Sequence, residues 1–385
     1  MRHVDSHLRV VILAGGIGSR FWPASSPARP KQLLPLGAER SLIAQTIDRA
    51  LALAPKRAIS VLTGAHLIGS FRESIPELDP DQFWIEPRAR GTAPVLTWAA
   101  HRIHRRDPEA VMVSLHADHS IEPVSAFVEL LHRAVALARQ EDLLLTIAVP
   151  PSRPETGYGY LRTGDLLAAE DDLRAWRVEA FREKPDASTA MAYLSRGHFW
   201  NSGIFILPVS RFLDEVRLHA PEIGQHLSLL ELGEESAFFE AVPTISVDEA
   251  VLERSGSVGA VRATFEWDDI GNWDALLRTG ERDADGNWRR GESFAFESAD
   301  SVVWAEDGPV VLFGVRDLVV VRAGGVTLVA DRNLAPELKR LLQRLPPRFL
   351  EGASRRDEPG DPGDAPDSSP GDPTPQDPSP GDSSP

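Results

Sequence analysis

At 385 residues, with 42% hydrophobic and 25% charged residues, the chain has the composition of a globular protein and enough length for about two or three domains. Its formal net charge of −16 argues against a nucleic-acid backbone as partner, and the absence of cysteine excludes both a disulfide framework and a thiolate metal site. The apolar run near the N-terminus is short, interrupted by Arg9 and followed by glycines, so it reads as a buried strand and not as a signal peptide or membrane span.

Over the first 150 residues, short apolar runs of buried-strand type fall at 10–14, 59–63, 83–86, 111–116 and 143–149. Helical patterns lie between them. Ser41 is placed to cap a helix whose inner face is Leu42, Ile43, Ile47, Ala50 and Leu51. Phe127, Leu130, Leu131, Ala134, Val135 and Ala138 recur at helical spacing within 124–140. Strands alternating with helices argue for a mainly parallel sheet covered on both faces, with ligands at the carboxyl ends of the strands. The segment 150–280 is mixed and reads as the second half of the same α/β domain. Within 282–350, SVVWAE, VVLFGV, LVVVR and VTLVA are brief strands separated by Gly and Asp turns, which predicts a small all-β module closed by a helix over LAPELKRLLQRL. The last 35 residues, rich in Pro, Gly, Ser and Asp with nine carboxylates against two arginines, cannot bury enough apolar surface to fold and read as a disordered, solubilising tail.

The first strand runs into LAGGIGSRFWPASSPARPKQLLP, residues 13–35. This is neither of two common phosphate motifs. No Lys-Ser or Lys-Thr follows the glycines, and Phe21 occupies the place where G-x-G-x-x-G needs its third glycine. What remains is a tight turn whose N–H groups can face an anion, with Arg20 as a fork for phosphate oxygens and Lys31 beyond it.

The whole string from Gly15 to Gln32 resembles the nucleotide-binding signature of the sugar-nucleotidyltransferases, and specifically of the mannose-1-phosphate guanylyltransferases. EPRARGTAP (86–94), HADHSI (116–121), TGYGYL (156–161), FREKP (181–185), FWNSGIF (199–205), VDEAVLE (247–253) and WDDIGNWDAL (267–276) resemble that family's successive motifs in order and spacing, from residue 9 to about 345. The resemblance implies a nucleotide-diphospho-sugar transferase fold: a Rossmann-like mixed α/β sheet over residues 1–280, a short β-helix-like module over 281–350, then the tail. It implies transfer of GMP from GTP to α-D-mannose 1-phosphate with release of pyrophosphate.

By the same resemblance, Leu13, Ala14, Gly15, Gly16 and Gly18 would cradle the nucleotide. Arg20 would neutralise the triphosphate, and Lys31 would bridge the α-phosphate and the incoming sugar phosphate. Asp118 and Asp269 would hold Mg2+, which prefers carboxylates combined with phosphate oxygens. Asp268 stands beside the second of these, where the family more often has a small hydroxyl residue. Glu86 offers guanine an acceptor, and Thr92 and Ala93 offer backbone groups at the start of the next helix. Gly91 stands where the family usually has asparagine, which removes a polar side chain. Gly157, Glu183, Lys184 and Asn201 would receive the sugar, while Trp200 and Trp273 are either walls of that pocket or core. His116, Asp118 and His119 suggest a metal cluster superficially, but alternation at a strand end predicts that they do not share a face. The chain leaves no length after 345 for an isomerase partner, so mannose 1-phosphate is expected from elsewhere in the cytoplasm, with no membrane association; a homodimer through the C-terminal region follows from the family. The rivals are a transferase for another sugar 1-phosphate such as a heptose phosphate, a non-catalytic sugar-nucleotide-binding regulator, and a dinucleotide oxidoreductase.

Overall fold

The computed structural model describes residues 6–350 except Ile17 and Asp171. The tail expected over 351–385 lies outside the described residues. The first half alternates as its sequence predicts: β1 (Leu8–Leu13), α1 (Leu42–Leu53), β2 (Ile59–Gly64), α2 (Ile68–Ser74), β3 (Phe83–Glu86), α3 (Thr92–His104), β4 (Val111–His116), β5 (Ser120–Glu122), α4 (Val124–Glu141) and β6 (Leu144–Val149). The Ser41 hydroxyl accepts from the Ala44 amide at 3.4 Å, so the predicted cap forms, and the predicted face of α4 is wholly buried. One residue of the α1 face is corrected. Leu51 is exposed and Leu53 is buried instead, because the inward stripe advances from Ile47 through Ala50 to Leu53 and leaves Leu51 about 100° off it.

Then follow β7 (Tyr160–Glu170), β8 (Leu173–Arg182), α5 (Ala187–Ser195), β9 (Phe199–Pro208), α6 (Val209–His219), β10 (Val258–Arg262) and β11 (Glu266–Asp268). The nine-stranded sheet runs β3-β2-β1-β4-β9-β6-β10-β8-β7. Pairing is parallel through β3, β2, β1 and β4 and again between β6 and β10. β9 enters antiparallel between β4 and β6, so the sheet is mixed and not mainly parallel as the first half alone suggested. Two apolar layers cover it. One packs α1, α2 and α4 against one face, and the other packs α3, α6 and the helical segments of 221–241 against the opposite face. No helix among the described residues is long and apolar enough to cross a membrane.

Two features of this topology build the cleft. The carboxyl ends of β1, β2 and β4 fall level, with Leu13 paired to both Leu62 and His116. Separately, β5 pairs antiparallel with β11, setting Ser120 opposite Asp268, which draws the loops after β4 and β11 together across some 150 residues of chain.

The C-terminal sheet, β12 (Trp288–Phe296), β13 (Val302–Phe313), β14 (Leu318–Ala323) and β15 (Val326–Asp331), is parallel through its first three strands and antiparallel in its last pair. The sequence reading missed β12 and split β13 in two at Asp307-Gly308-Pro309. The strand in fact runs through, and the pairing jumps from Gly291↔Ala305 to Ser293↔Val310 to absorb the interruption. The closing helix is shorter than expected, only Leu338–Leu342, because Pro336 confines the preceding turn to 3-10 geometry.

A third apolar core joins this sheet to the rest. Phe21, Trp22, Leu34 and Leu36 pack with Ile270, Trp273, Trp304 and Val319. Trp273 is its centre: fully buried, 4.9 Å from the Phe21 ring and 5.6 Å from Trp304, with its indole N–H donating to the Trp22 carbonyl at 3.3 Å. Replacing it by alanine removes all of these contacts at once. The expected cost is about 3–5 kcal/mol, read as a fall in melting temperature by calorimetry together with loss of the loop order on which the cleft depends.

Candidate active site

The turn after β1 places its glycines at the sheet edge, and the amides of Gly15, Gly16 and Gly18 have no protein acceptor among the described residues. Leu13 and Ala14 are buried beneath them, with the Ala14 carbonyl accepting from the Thr63 hydroxyl at 3.0 Å and the Gly15 carbonyl from the Gln32 amide at 2.8 Å. Gly18 sits at φ 67°, and a Cβ there would lie 2.2 Å from Cβ of Lys31, so only glycine lets the two strings of the motif touch. Arg20 follows, exposed and without a hydrogen bond or ion pair among the described residues.

Lys31 is 5% exposed. Its ammonium donates to Asp118 Oδ2 at 3.0 Å and to the backbone carbonyl of Asp269 at 2.7 Å, and lies 5.7 Å from the Phe21 ring. An ammonium has three donors, so one remains for an incoming group. Burial pushes the Asp118 carboxyl up, but Lys31, with His119 and His116, outweighs it and holds the group at about 2. Asp269 goes the other way: burial raises it, Asp268 and Asp118 add to the rise, and Lys31 and the Tyr158 hydroxyl, which donates to its Oδ1 at 2.6 Å, oppose it. The four residues expected to carry catalysis thus divide. Lys31, Asp118 and Asp269 form one hydrogen-bonded group, and Arg20 stands apart on the turn.

Asp268 does not compete for that group. Its carboxylate accepts from the Ile270 amide at 2.8 Å and from Arg278 Nε at 3.0 Å, which makes it the fastener of the loop that carries Asp269. His116, Asp118 and His119 do gather their ligand-type atoms within 4.8 Å of one another, contrary to the alternation argument. β4 ends at His116, and the turn that follows breaks the period of two. His119 Nδ1 accepts from the Trp267 indole at 3.1 Å, and burial drives both imidazoles below the usual histidine range.

Where the sequence leads one to expect the base, Glu86 closes β3 and accepts from the Arg90 amide at 3.2 Å, while burial raises its carboxyl. Gly91 has φ 81° and a Cβ there would stand 2.5 Å from the Ile245 carbonyl, so glycine is dictated by the backbone of this chain. The Thr92 hydroxyl accepts from the Val247 amide at 2.9 Å and the buried Ala93 amide donates to Ile245 at 3.2 Å, which engages both groups with the segment before residue 248.

Across the cleft, Gly157 is exposed, its amide donating to Glu155 at 3.1 Å. Glu183 and Lys184 pair at 2.7 Å. The Thr146 hydroxyl donates to Asn201 Oδ1 at 2.6 Å, which fixes the amide so that Nδ2 donates to Asp248 at 2.8 Å. Burial and the neighbouring Glu183 carboxylate raise Asp248 to about 7, against the pull of Lys184 and Asn201. Trp200 and Trp273 are core. Tyr158, Asp248, Arg278 and Arg153, whose guanidinium lies 5.0 Å over Trp200 and donates to the Tyr158 hydroxyl at 3.2 Å, were not singled out from sequence. Tyr158 and Asp248 stood inside quoted motifs; only their contacts separate them from their neighbours.

With a glycine turn, a buried lysine and two aspartates at the carboxyl edge of a mixed sheet, the class is a nucleotidyltransferase, and the chain belongs to the nucleotidyl transferase family, which it matches over residues 9–286. Residues 291–345 match the MannoseP isomerase/GMP-like beta-helix domain. Among its relatives, mannose-1-phosphate guanylyltransferase of Escherichia coli K12 is 34% identical over 357 residues, covering 89% of this chain and 74% of that protein. Mannose-1-phosphate guanylyltransferase ManC of Salmonella typhimurium is 32% identical with the same coverage. A crystal structure of a Thermus thermophilus protein described as mannose-1-phosphate geranyltransferase superposes with a TM-score of 0.81 at 30% identity, over 88% of this chain and 99% of that one.

The raised Asp248 makes a pH prediction. Its folded value of about 7 exceeds the ordinary 3.8, so between about pH 4 and pH 7 the native protein keeps a proton that the unfolded chain releases. Native stability therefore falls through this group as pH rises across that window. An Asp248→Asn protein lacks the effect, and its melting temperature relative to the parent is expected to climb from pH 4 to pH 7. A constant difference across that range would refute the assignment.

Proposed function

We propose that this chain transfers GMP from GTP to α-D-mannose 1-phosphate, giving GDP-mannose and pyrophosphate. The observation that carries the reading is the buried Lys31 ammonium held between Asp118 and Asp269 beside a turn of unengaged amides, in a chain of this family. A phosphate oxygen of the sugar phosphate attacks the α-phosphorus of GTP, and the bond to the β-phosphate's bridging oxygen breaks as pyrophosphate leaves. No protein nucleophile is needed, so the chain's task is positioning and charge neutralisation. The amides of Gly15, Gly16 and Gly18 with the Arg20 guanidinium meet the triphosphate and the departing pyrophosphate. The third donor of Lys31 reaches the α-phosphate and the incoming phosphate together. Glu86, with Thr92 and Ala93, takes the base, and Gly157, Glu183, Lys184 and Asn201 the sugar.

Asp118 and Asp269 fit a divalent cation, for which we propose Mg2+. Asp118 commits Oδ2 to Lys31 and Asp269 commits Oδ1 to Tyr158, leaving one hard oxygen on each without a hydrogen bond among the described residues. When bound there, the ion supplies Lewis-acid stabilisation of phosphoryl charge. We place the reaction in the cytoplasm, where GTP is supplied, and keep the division into a catalytic part to about 280 and a β-helix module to about 350, which the two adjoining family matches support.

The test is pyrophosphate release with Mg2+, crossing nucleoside triphosphates against mannose, glucose and heptose 1-phosphates. Release is expected for GTP with mannose 1-phosphate, reduced by about 10³-fold or more in Lys31→Ala; release with another pair alone would move the substrate, and no release with any pair would overturn the enzyme reading.

A homodimer is part of the same proposal. Phe294, Phe296, Val311 and Phe313 are about half exposed or more on the small sheet, with Phe294 beside Val311 and Phe296 beside Phe313. Monomers rarely leave so many large apolar side chains together in water. Light scattering is expected to give twice the chain mass for the parent, and the single-chain mass for Phe296→Ser/Phe313→Ser.

A further inference from the structure

The parallel strands β1, β2 and β3 begin at the edge opposite Lys31, about 20 Å away along β1. There a second cavity of about 340 Å3 opens, lined by four arginines, Arg9, Arg57, Arg102 and Arg106, with Asp81 its single carboxylate. Such a gathering of guanidiniums is unexpected in a chain of net charge −16.

Two of the arginines are fixed by the fold. Arg9 is held by Asp107 at 2.9 Å and by the Ser6 and Leu8 carbonyls, and Arg102 lies 4.7 Å over the Trp84 ring and 3.8 Å from Glu235. The other two, Arg57 and Arg106, are exposed, and their guanidiniums have no hydrogen bond or ion pair among the described residues. A plain reading is that basic residues collect at the C-terminal end of α3 to complement its dipole. That accounts for Arg102 and Arg106. It does not account for Arg9 on β1 or Arg57 in the turn before β2, which converge on the same cavity from separate parts of the chain.

We propose that this cavity is a second anion site, distinct from the catalytic cleft, that binds a phosphate-bearing small molecule. Guanidiniums arriving from three segments match the several oxygens of a phosphoryl group, each able to give a bidentate contact. The volume is at the lower end of small-molecule pockets, suited to a compact phosphorylated metabolite. Because Arg102 covers Trp84, recognition rests on the phosphate and not on stacking of a base. Pyrophosphate, a nucleoside monophosphate and a sugar phosphate share that chemistry.

Equilibrium dialysis of the full chain with labelled pyrophosphate, GMP and mannose 6-phosphate, each in turn, tests this and separates the three sources. The expected result is a binding event in the parent that is lost, or weakened at least about tenfold, in Arg57→Glu/Arg106→Glu. Any catalytic-site binding, and pyrophosphate release from GTP and mannose 1-phosphate, should stay at the parental level, since neither arginine belongs to the cleft. Arg57→Gln, which removes one charge without reversing it, should give an intermediate loss and guards against misfolding of the double variant. Stoichiometry and affinity unchanged by both variants for every probe, or no binding outside the catalytic site, overturns the proposal.

Discussion

A buried lysine ammonium sets the constraint around which this cleft is arranged. Removing a charge from water is costly unless it is paired and fully hydrogen-bonded, and Lys31 is 5% exposed. Its partners are a carboxylate from the loop after β4 and a backbone carbonyl from the loop after β11. The β1–β4 pairing brings the first loop beside the turn, and the β5–β11 pairing ties the second loop to it. The stem of the lysine in turn presses so close to the first turn that residue 18 must be glycine. One ion pair therefore dictates a glycine, a two-stranded ribbon and the meeting of three chain segments.

The loop that carries Lys31 has little regular structure of its own, so its position comes from packing. Phe21, Trp22, Leu34 and Leu36 anchor both its ends in the core shared with Trp273 and Trp304. The small sheet adds polar ties: Arg29 pairs with Glu306, Arg290 donates to the carbonyls of Pro35 and Ala38 at 3.1 and 2.9 Å, and the Trp22 indole donates to the Phe349 carbonyl at 2.9 Å. The β-helix module thus braces the segment that carries Lys31, to which the proposed function gives the positioning of the phosphates. A misplacement of about 1 Å in such a group is enough to cost a hundredfold in rate.

What could be seen in the sequence follows from which interactions are local. Most strands of the first half were legible because they are buried apolar runs, and α1 because its cap and stripe lie within one short window. Long-range pairings were not. Nothing near residues 199–208 says that β9 enters between β4 and β6, and β12 was hidden because its exposed positions carry Arg, Glu and Phe without a clean alternation. The same division holds at the cleft. Lys31, Asp118 and Asp269 stood in recognisable strings, whereas Tyr158 and Asp248 act through partners distant in sequence. Gly91, whose place in the sequence showed only the absence of a polar side chain, proves to be the residue that the Ile245 carbonyl requires.

The charge distribution gives the cleft a direction. Its turn end offers unengaged amides, Arg20 and the remaining donor of Lys31, all suited to phosphoryl oxygens. Its far end holds Glu183, Asp248 and Glu253 around Asn201 and Lys184, with the Glu183 amide donating to Glu253 at 3.2 Å. Acids crowded in this way accept from hydroxyls and, where ionised, disfavour a polyanion. On the proposed reading, a ligand with phosphate at one end and a polyol at the other would lie with its phosphate toward Lys31 and its hydroxyls toward Glu183 and Asn201.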